Sequence, residues 1–283
     1  MKIVPLLLLV MIPCAVAAQV GPAVEVSAEK KIVGGLSASI GAEYRWKDGF
    51  SYTDRIAGTL SLDYKLNKYL KFGAGYSILH KRVNYVKTWE SDTATLNYWQ
   101  NRHRFMVNAT GSYKFGSFKV SLRERFQYTM WDKRKIRRLR DENGKVERDE
   151  YGYKINEQYS EGRFKPVLRS RLQVSYDRKK WKFSPYASIE FFNLLNPKTD
   201  YEETDGGNYD LVGGKYTKVD PGTGEYVKER EKSLDRISYT AGVDWAFKKH
   251  QELGLYYQYN DYRNGADTDD VKHRIGLSYT FSF

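Results

Sequence analysis

The last stretch of the chain alternates without a break. Val271, His273, Ile275, Leu277, Tyr279, Phe281 and Phe283 fall on one face, and Lys272, Arg274, Gly276, Ser278, Thr280 and Ser282 on the other. Successive side chains of a β-strand point to opposite faces, so this period predicts a strand with one apolar and one polar side. The same period recurs upstream. Leu36, Ala38, Ile40, Ala42, Tyr44 and Trp46 form one apolar row, and Ile56, Gly58, Leu60, Leu62 and Tyr64 the next. Phe105, Val107, Ala109 and Tyr113 form a later one, and Ile237, Tyr239, Ala241, Val243 and Trp245 one near the end. Two positions break the pattern: Glu124 falls in an apolar register and Pro166 interrupts a strand. A bulge or a rim position is expected at each.

Between the strands, short basic turns flanked by aromatics recur at Tyr64 to Phe72, Tyr113 to Phe118, Tyr176 to Phe183 and Trp245 to His250. Longer polar connections lie between them, at Lys47 to Asp54, Val83 to Gln100, Trp131 to Ser160, Leu194 to Lys232 and Arg263 to Asp270. Strict alternation of short and long connections is the pattern of a transmembrane β-barrel, with tight periplasmic turns and long extracellular loops. The fold class read here is all-β, an antiparallel barrel over residues 36–283 with long loops near 83–100, 131–160 and 194–232. Counting back from Phe283 gives about ten strands, an even number as bacterial single-chain barrels have. The segment 19–35 also alternates, as Val24, Val26 and Ala28 against Glu25, Ser27 and Glu29. It reads as a periplasmic lead-in, a lumen plug, or one of a pair that would make the barrel twelve-stranded.

Composition fits the same class. The chain has 283 residues, 15% of them aromatic including 24 tyrosines, yet its mean hydropathy is -0.68. No apolar run after the first 18 residues approaches the roughly 20 that a spanning helix needs. Strict alternation hides a lipid-facing surface from any averaged hydropathy, which reconciles many aromatics with a polar mean. Lys2, the apolar run Ile3 to Pro13 and Val16-Ala17-Ala18 read as a secretory signal cleaved after Ala18. The single cysteine, Cys14, falls inside it, which leaves no cysteine for a disulfide or a thiolate metal site in the exported part. The location expected is the outer membrane of a diderm bacterium. Its surroundings there are lipid and lipopolysaccharide, with assembly by the barrel-assembly machinery, and a monomer is expected. The formal charge of +12 would suggest nucleic acid in another compartment. No nucleic-acid recognition motif accompanies it.

The polar register supplies the candidate chemistry. Arg45, Arg55, Arg102, Arg104, Arg123, Arg125, Arg163, Arg169, Arg171, Arg236 and Arg274 all fall on the lumen side. The pairs Arg102/Arg104, Arg123/Arg125 and Arg169/Arg171, on neighbouring strands, predict a cationic ladder on one wall. The acidic candidates are fewer: Glu43, Asp63, Glu190, Asp244 and Glu252. Two interiors fit this set. Barrels near the small end of the range can be filled by their own side chains, and size favours that reading. Fixed cations in excess would instead line a narrow path for small anionic solutes.

Enzymatic classes fare worse. Outer-membrane acyl hydrolases place histidine and serine two apart on one strand face, whereas the residues two beyond His80, His103, His250 and His273 are Arg82, Phe105, Glu252 and Ile275. Omptin-like proteases need acids and an Asp-His couple at the extracellular mouth. Asp267, Asp269 and Asp270 precede His273, but His273 lies on the outward register with His80 and His103. These three histidines read as interfacial residues at lipopolysaccharide headgroups. A rim hydrolase is therefore the third reading, and no catalytic residue, metal ligand or cofactor is assigned. The second is a surface-binding protein acting through its long loops. In one loop Lys133 to Arg140 is basic and Asp141 to Glu150 acidic, as in a hairpin closing on itself with Asn143-Gly144 at its tip. The other carries Tyr201, Tyr209, Tyr216 and Tyr226 among glycines.

The strands Asn101-Arg102-His103-Arg104-Phe105, Val120 to Tyr128 and Leu168 to Gln173 carry an arginine-x-arginine pair, followed in two of them by glutamine. In this the chain resembles an uncharacterised outer-membrane family, the domain of unknown function numbered twenty-four ninety, over most of its length. That resemblance implies a barrel and a location and transfers no catalytic residue. The interior chemistry also resembles that of the acidic-oligosaccharide porins.

Overall fold

The computed structural model describes residues 20–89, 92–131, 134–138, 145, 156–160, 162–178, 181–197, 199–203, 209–212, 215–218, 226–230, 232–264 and 271–283. The segment read as a secretory signal, the Asn143-Gly144 tip and Asp267, Asp269 and Asp270 lie outside them.

The strands in chain order are β1 (Val20–Val33), β2 (Leu36–Lys47), β3 (Tyr52–Lys65), β4 (Leu70–Trp89), β5 (Asp92–Phe115), β6 (Phe118–Trp131), β7 (Arg134–Arg138), β8 (Asn156–Ser160) and β9 (Arg163–Tyr176). They continue with β10 (Phe183–Leu194), β11 (Thr199–Glu203), β12 (Tyr209–Val212), β13 (Lys215–Lys218), β14 (Tyr226–Arg230), β15 (Leu234–Lys248), β16 (Gln251–Tyr262) and β17 (His273–Ser282). Eleven of them close one barrel in the order β1-β17-β16-β15-β10-β9-β6-β5-β4-β3-β2. The remaining six pair as β7 with β8, β11 with β14 and β12 with β13 within the two longest connections.

The eleventh strand is the segment that sequence left open. β1 is neither a lead-in nor a plug, but pairs antiparallel with β2 and parallel with β17, from Val20 opposite His273 to Glu29 opposite Ser282. A parallel closing seam is what an odd strand count requires, since ten antiparallel neighbours bring the first and last strands to the same direction. Without β1, strands β2 and β17 run antiparallel, which is the even barrel that the alternation suggested.

All four basic turns fall where the sequence put them, and Gly34-Gly35 makes a fifth between β1 and β2. Both of these glycines have positive φ, 55° and 87°, which other residues seldom adopt. The Asn67 carboxamide oxygen accepts the Tyr69 and Leu70 amides at 2.8 and 2.9 Å and fixes the turn between β3 and β4. Two of the long connections differ from expectation. Val83 to Gln100 is largely a continuation of β4 and β5, paired as far as Trp89 opposite Asp92. Lys47 to Asp54 is only a four-residue turn, 48–51, between the ends of β2 and β3, where Asp48 and Gly49 have positive φ.

Outside, the wall is an apolar belt. Ile40, Leu60, Leu62, Val107 and Leu122 are each at least half exposed, from 51% to 60%, an area that water would not tolerate on a monomer. Aromatics bracket the belt. Phe115 with Phe118, Tyr176 with Trp181 and Phe183 with Trp245 stand at the short-turn end, and Tyr44 with Trp46, His80 with Trp99 and Tyr239 with Tyr259 towards the other. This is a β-barrel fold of the outer-membrane type. Pro166 lies near the rim end of β9, as expected. Glu124 does not: it is mid-strand in an unbroken register, opposite Ala109 and Ser170, and accepts the Ser170 hydroxyl at 2.6 Å.

Candidate functional site: the arginine-lined lumen

The inner wall encloses a cavity of about 2120 Å³. Its lining reaches from Asn67, Lys114 and Lys119 at the short-turn end to Lys81, Arg163 and Asp235 at the rim. The described side chains therefore do not fill the interior, contrary to the expectation from size. Two physical causes are visible. An eleventh strand widens the cylinder, and small residues occupy the inner register at Gly75, Ser77 and Ser278.

Arg45, Arg55, Arg102, Arg104, Arg123, Arg125, Arg163, Arg169, Arg171, Arg236 and Arg274 all line this cavity. Most of them fall in two clusters. On β2 and β3, Glu43 accepts Arg45 Nη2 at 2.7 Å, Arg55 Nε at 2.8 Å and Arg55 Nη2 at 2.5 Å. Glu25 stands 3.9 Å from Arg45 and accepts the Tyr256 hydroxyl at 2.8 Å. Arg274, only 6% exposed, lies within charge–charge range of Arg45 and Arg55.

The second cluster is on β6, β9 and β10. Glu190 accepts Arg123 Nη2 at 2.7 Å, Arg169 Nη2 at 2.8 Å and Arg169 Nε at 3.2 Å, while Arg169 Nη1 donates to the Gln127 side-chain oxygen at 3.0 Å. Arg125 reaches the Met106 sulfur at 3.9 Å. Between the clusters, Arg104 donates to the Thr129 hydroxyl at 3.2 Å and interacts electrostatically with Arg55 and Arg45 on one side and Arg169 on the other. The Nε atoms of Arg45, Arg123, Arg125, Arg171, Arg236 and Arg274 are buried with no hydrogen-bond partner among the described residues.

The expected ladder is real for two strands and displaced for the third. Arg123 opposes Arg171 and Arg125 opposes Arg169 across β6 and β9. On β5, however, Arg104 opposes Thr129, four residues closer to the rim than Arg125. With strands tilted by roughly 40°, a fixed height moves along the register by about one residue per strand, which is less than this displacement, so Arg104 extends the ladder towards the rim rather than adding a rung to it.

Of the four expected carboxylate partners, Glu43 and Glu190 hold arginines. Asp63 instead faces Lys71 at 3.4 Å. Asp244 is paired in register with Gly254 and Ser184 and interacts with Glu252, so the wall it occupies holds like charge rather than guanidinium. Sequence reading missed the aromatics that carry three of the arginines. Phe192 is stacked between Arg169 and Arg236, at 4.4 and 3.8 Å from its ring centre, and Arg102 lies 4.4 Å above Trp131. Their signal was present, since Phe192 shares the inner register with Glu190 two residues before it.

The histidines face outward as read. His103 and His273 each bond a tyrosine hydroxyl through Nδ1 at 2.7 Å, from Tyr76 and Tyr257 respectively, and His80 stacks on Trp99 with ring centres 4.5 Å apart. Among the described residues no group of three or more His, Cys, Asp or Glu is gathered as for a metal ion.

A family described as Protein of unknown function (DUF2490) matches residues 24–207, the greater part of the chain. The chain belongs to that family. The matched span of this DUF2490 protein includes Glu43, Glu190 and every arginine of the β2–β3 and β6–β9 groups, while Arg236 and Arg274 lie beyond it. Among solved structures it is similar to the beta domain of the Bordetella autotransporter Brka, at 12% identity and a TM-score of 0.49, over 89% of this chain and 86% of that one. No curated protein matches.

Proposed function

We propose that the chain is an integral outer-membrane protein of non-enzymatic role whose arginine-lined lumen passes small anionic solutes. The observation that carries this reading is the cavity that runs from the short-turn end to the rim with eleven arginines and seven lysines against six carboxylates along it. Fixed cations on a wall of low dielectric raise the local concentration of anions and lower the barrier to their passage. Glu43 and Glu190 hold four of these arginines in place by direct bonds and neutralise only part of the charge. The apolar belt would face lipid, the rim histidines and tyrosines would meet lipopolysaccharide headgroups, and insertion as a monomer would fall to the barrel-assembly machinery. Fractionation of cells should recover the protein with outer membranes. In planar bilayers the refolded chain should give discrete steps of current whose anion preference is lowered by Arg123→Glu or Arg169→Glu, and a chain that inserts without conducting would refute the reading.

A second reading, surface binding through the 194–232 connection, draws on the paired strands β11–β14 and β12–β13 inside it. Shortening that connection would then abolish ligand capture and leave the barrel intact.

A further inference from the structure

Charge in the lumen is divided unevenly around the wall. Among the described residues, β4, β5, β6 and β9 contribute cations to the cavity lining and no carboxylate. The acids stand on other strands. Glu25, Glu43 and Asp54 balance the arginines of β2, β3 and β17. Glu190 reaches Arg123 and Arg169, and Asp235 reaches Lys165. Arg104, Arg125 and Arg171 are left without an ion pair among the described residues, and all three are only partly buried. We propose that this wall and the tyrosines that flank it bind an acidic oligosaccharide, a chain of sugar rings bearing carboxylates, lying lengthwise in the lumen. This deepens the reading above and rests on it, since the sugar must enter the lumen.

Two tyrosines make the rest of the groove. Tyr186 on β10 stands next to the arginine wall, within charge range of Arg171, and Tyr256 on β16 lies four strands round from β6. Both line the cavity, and each ring is laid over a glycine of the next strand instead of reaching towards the axis. A Cβ at Gly242 would meet the Tyr186 ring at 2.7 Å, and one at Gly276 would collide with the Tyr256 ring. The Tyr256 hydroxyl is fixed by donating to Glu25 at 2.8 Å. Rings held along a wall offer a flat apolar surface with a polar edge, against which the apolar face of a sugar ring packs. Around them Ser188, Thr240 and Gln258 supply uncharged hydrogen-bonding groups. Glu25 and Asp244, within charge range of Tyr186, accept sugar hydroxyls and repel carboxylates. The carboxylates of the sugar therefore turn to the arginines, whose planar forks match them, and its hydroxyls to the acidic side. An inorganic anion uses only the first of these walls. Eleven strands about 4.8 Å apart and tilted by roughly 40° close a backbone cylinder about 22 Å across, and the arginines leave roughly 10 Å of it, room for one sugar chain in single file.

Calorimetric titration of the refolded full chain in detergent micelles tests this with three probes. Trigalacturonate has rings and carboxylates, maltotriose has rings alone, and tricarballylate has carboxylates alone. Trigalacturonate is expected to bind at least about tenfold more tightly than either of the others. Arg171→Gln should weaken it by about fivefold or more. Tyr186→Leu should weaken it by a similar factor and leave tricarballylate unaffected, because only the sugar uses the ring. Lys248→Gln, which deletes a charge outside the cavity lining, should change nothing. Equal affinity for trigalacturonate and tricarballylate would show that charge alone is read, and equal affinity for trigalacturonate and maltotriose that the arginines are not used. Either result, or no binding of trigalacturonate, overturns the site. The comparison of probes needs only the unsubstituted chain, so variants that misfold do not rescue the proposal. Bilayer current is recorded separately: anion-selective current without preference for trigalacturonate refutes the site alone, and tight binding without current refutes passage alone.

Discussion

Arg123 and Arg171 stand directly opposite each other across β6 and β9, both turned into the lumen. Like charges in that position repel. What holds them there is Glu190 on the next strand, which is paired in register with Arg171 yet gives its oxygens to Arg123 and Arg169. The carboxylate is thus the counter-charge for a whole panel of wall.

Glu190→Gln should therefore destabilise the barrel. Removing one partner of a fully buried pair costs about 3–5 kcal/mol, and a polar cavity beside it reduces this to roughly 1–3 kcal/mol. Urea unfolding of the refolded protein in micelles measures the loss, and adding Arg171→Gln to the same chain should recover part of it, as coupled neighbours do.

The parallel seam is testable by cross-linking. Ser27 and Thr280 are paired across β1 and β17 with their hydroxyls 3.0 Å apart. Cysteines at both positions should form a disulfide on mild oxidation, because in-register strand pairs fall within the permitted Cα separation. The readout is a shift on non-reducing gels and loss of maleimide labelling. Full labelling of both thiols after oxidation would mean that β1 does not close the barrel.

Glu124 lies in the apolar belt between Leu122 and Phe126, bonded to Ser170. A carboxylate on a lipid-facing wall costs less than a lysine or arginine there, and Glu124→Leu should stabilise the protein by about 1–2 kcal/mol. The change in urea midpoint in lipid vesicles measures it, and an unchanged or lower midpoint would show that this position is not facing acyl chains.

The faces were legible in the sequence because period two leaves no freedom: once Leu60 is outside, Thr59 and Ser61 are inside. The basic turns were legible for a similar reason, since Lys65, Lys68 and Lys71 between Tyr64 and Phe72 can only sit at an interface. The closing strand was not. Val24, Val26 and Ala28 alternate as any strand does, and no residue type distinguishes a parallel neighbour from an antiparallel one. Glu43 and Glu190 could be assigned to the lumen from register alone, but their partners depend on stagger accumulated around the barrel. Asp244 shows the consequence, since it is on the inner register and holds no arginine. Phe192 was overlooked because aromatic residues in a barrel strand were read as lipid-facing.

Whether the lumen conducts anions is decided by the zero-current potential of the refolded chain in a planar bilayer under a potassium chloride gradient. The expected sign is that of a chloride-preferring pore, with Arg104→Glu moving the potential towards zero because Arg104 stands between the two clusters. A potential of the opposite sign, or one indifferent to that reversal of charge, would contradict it.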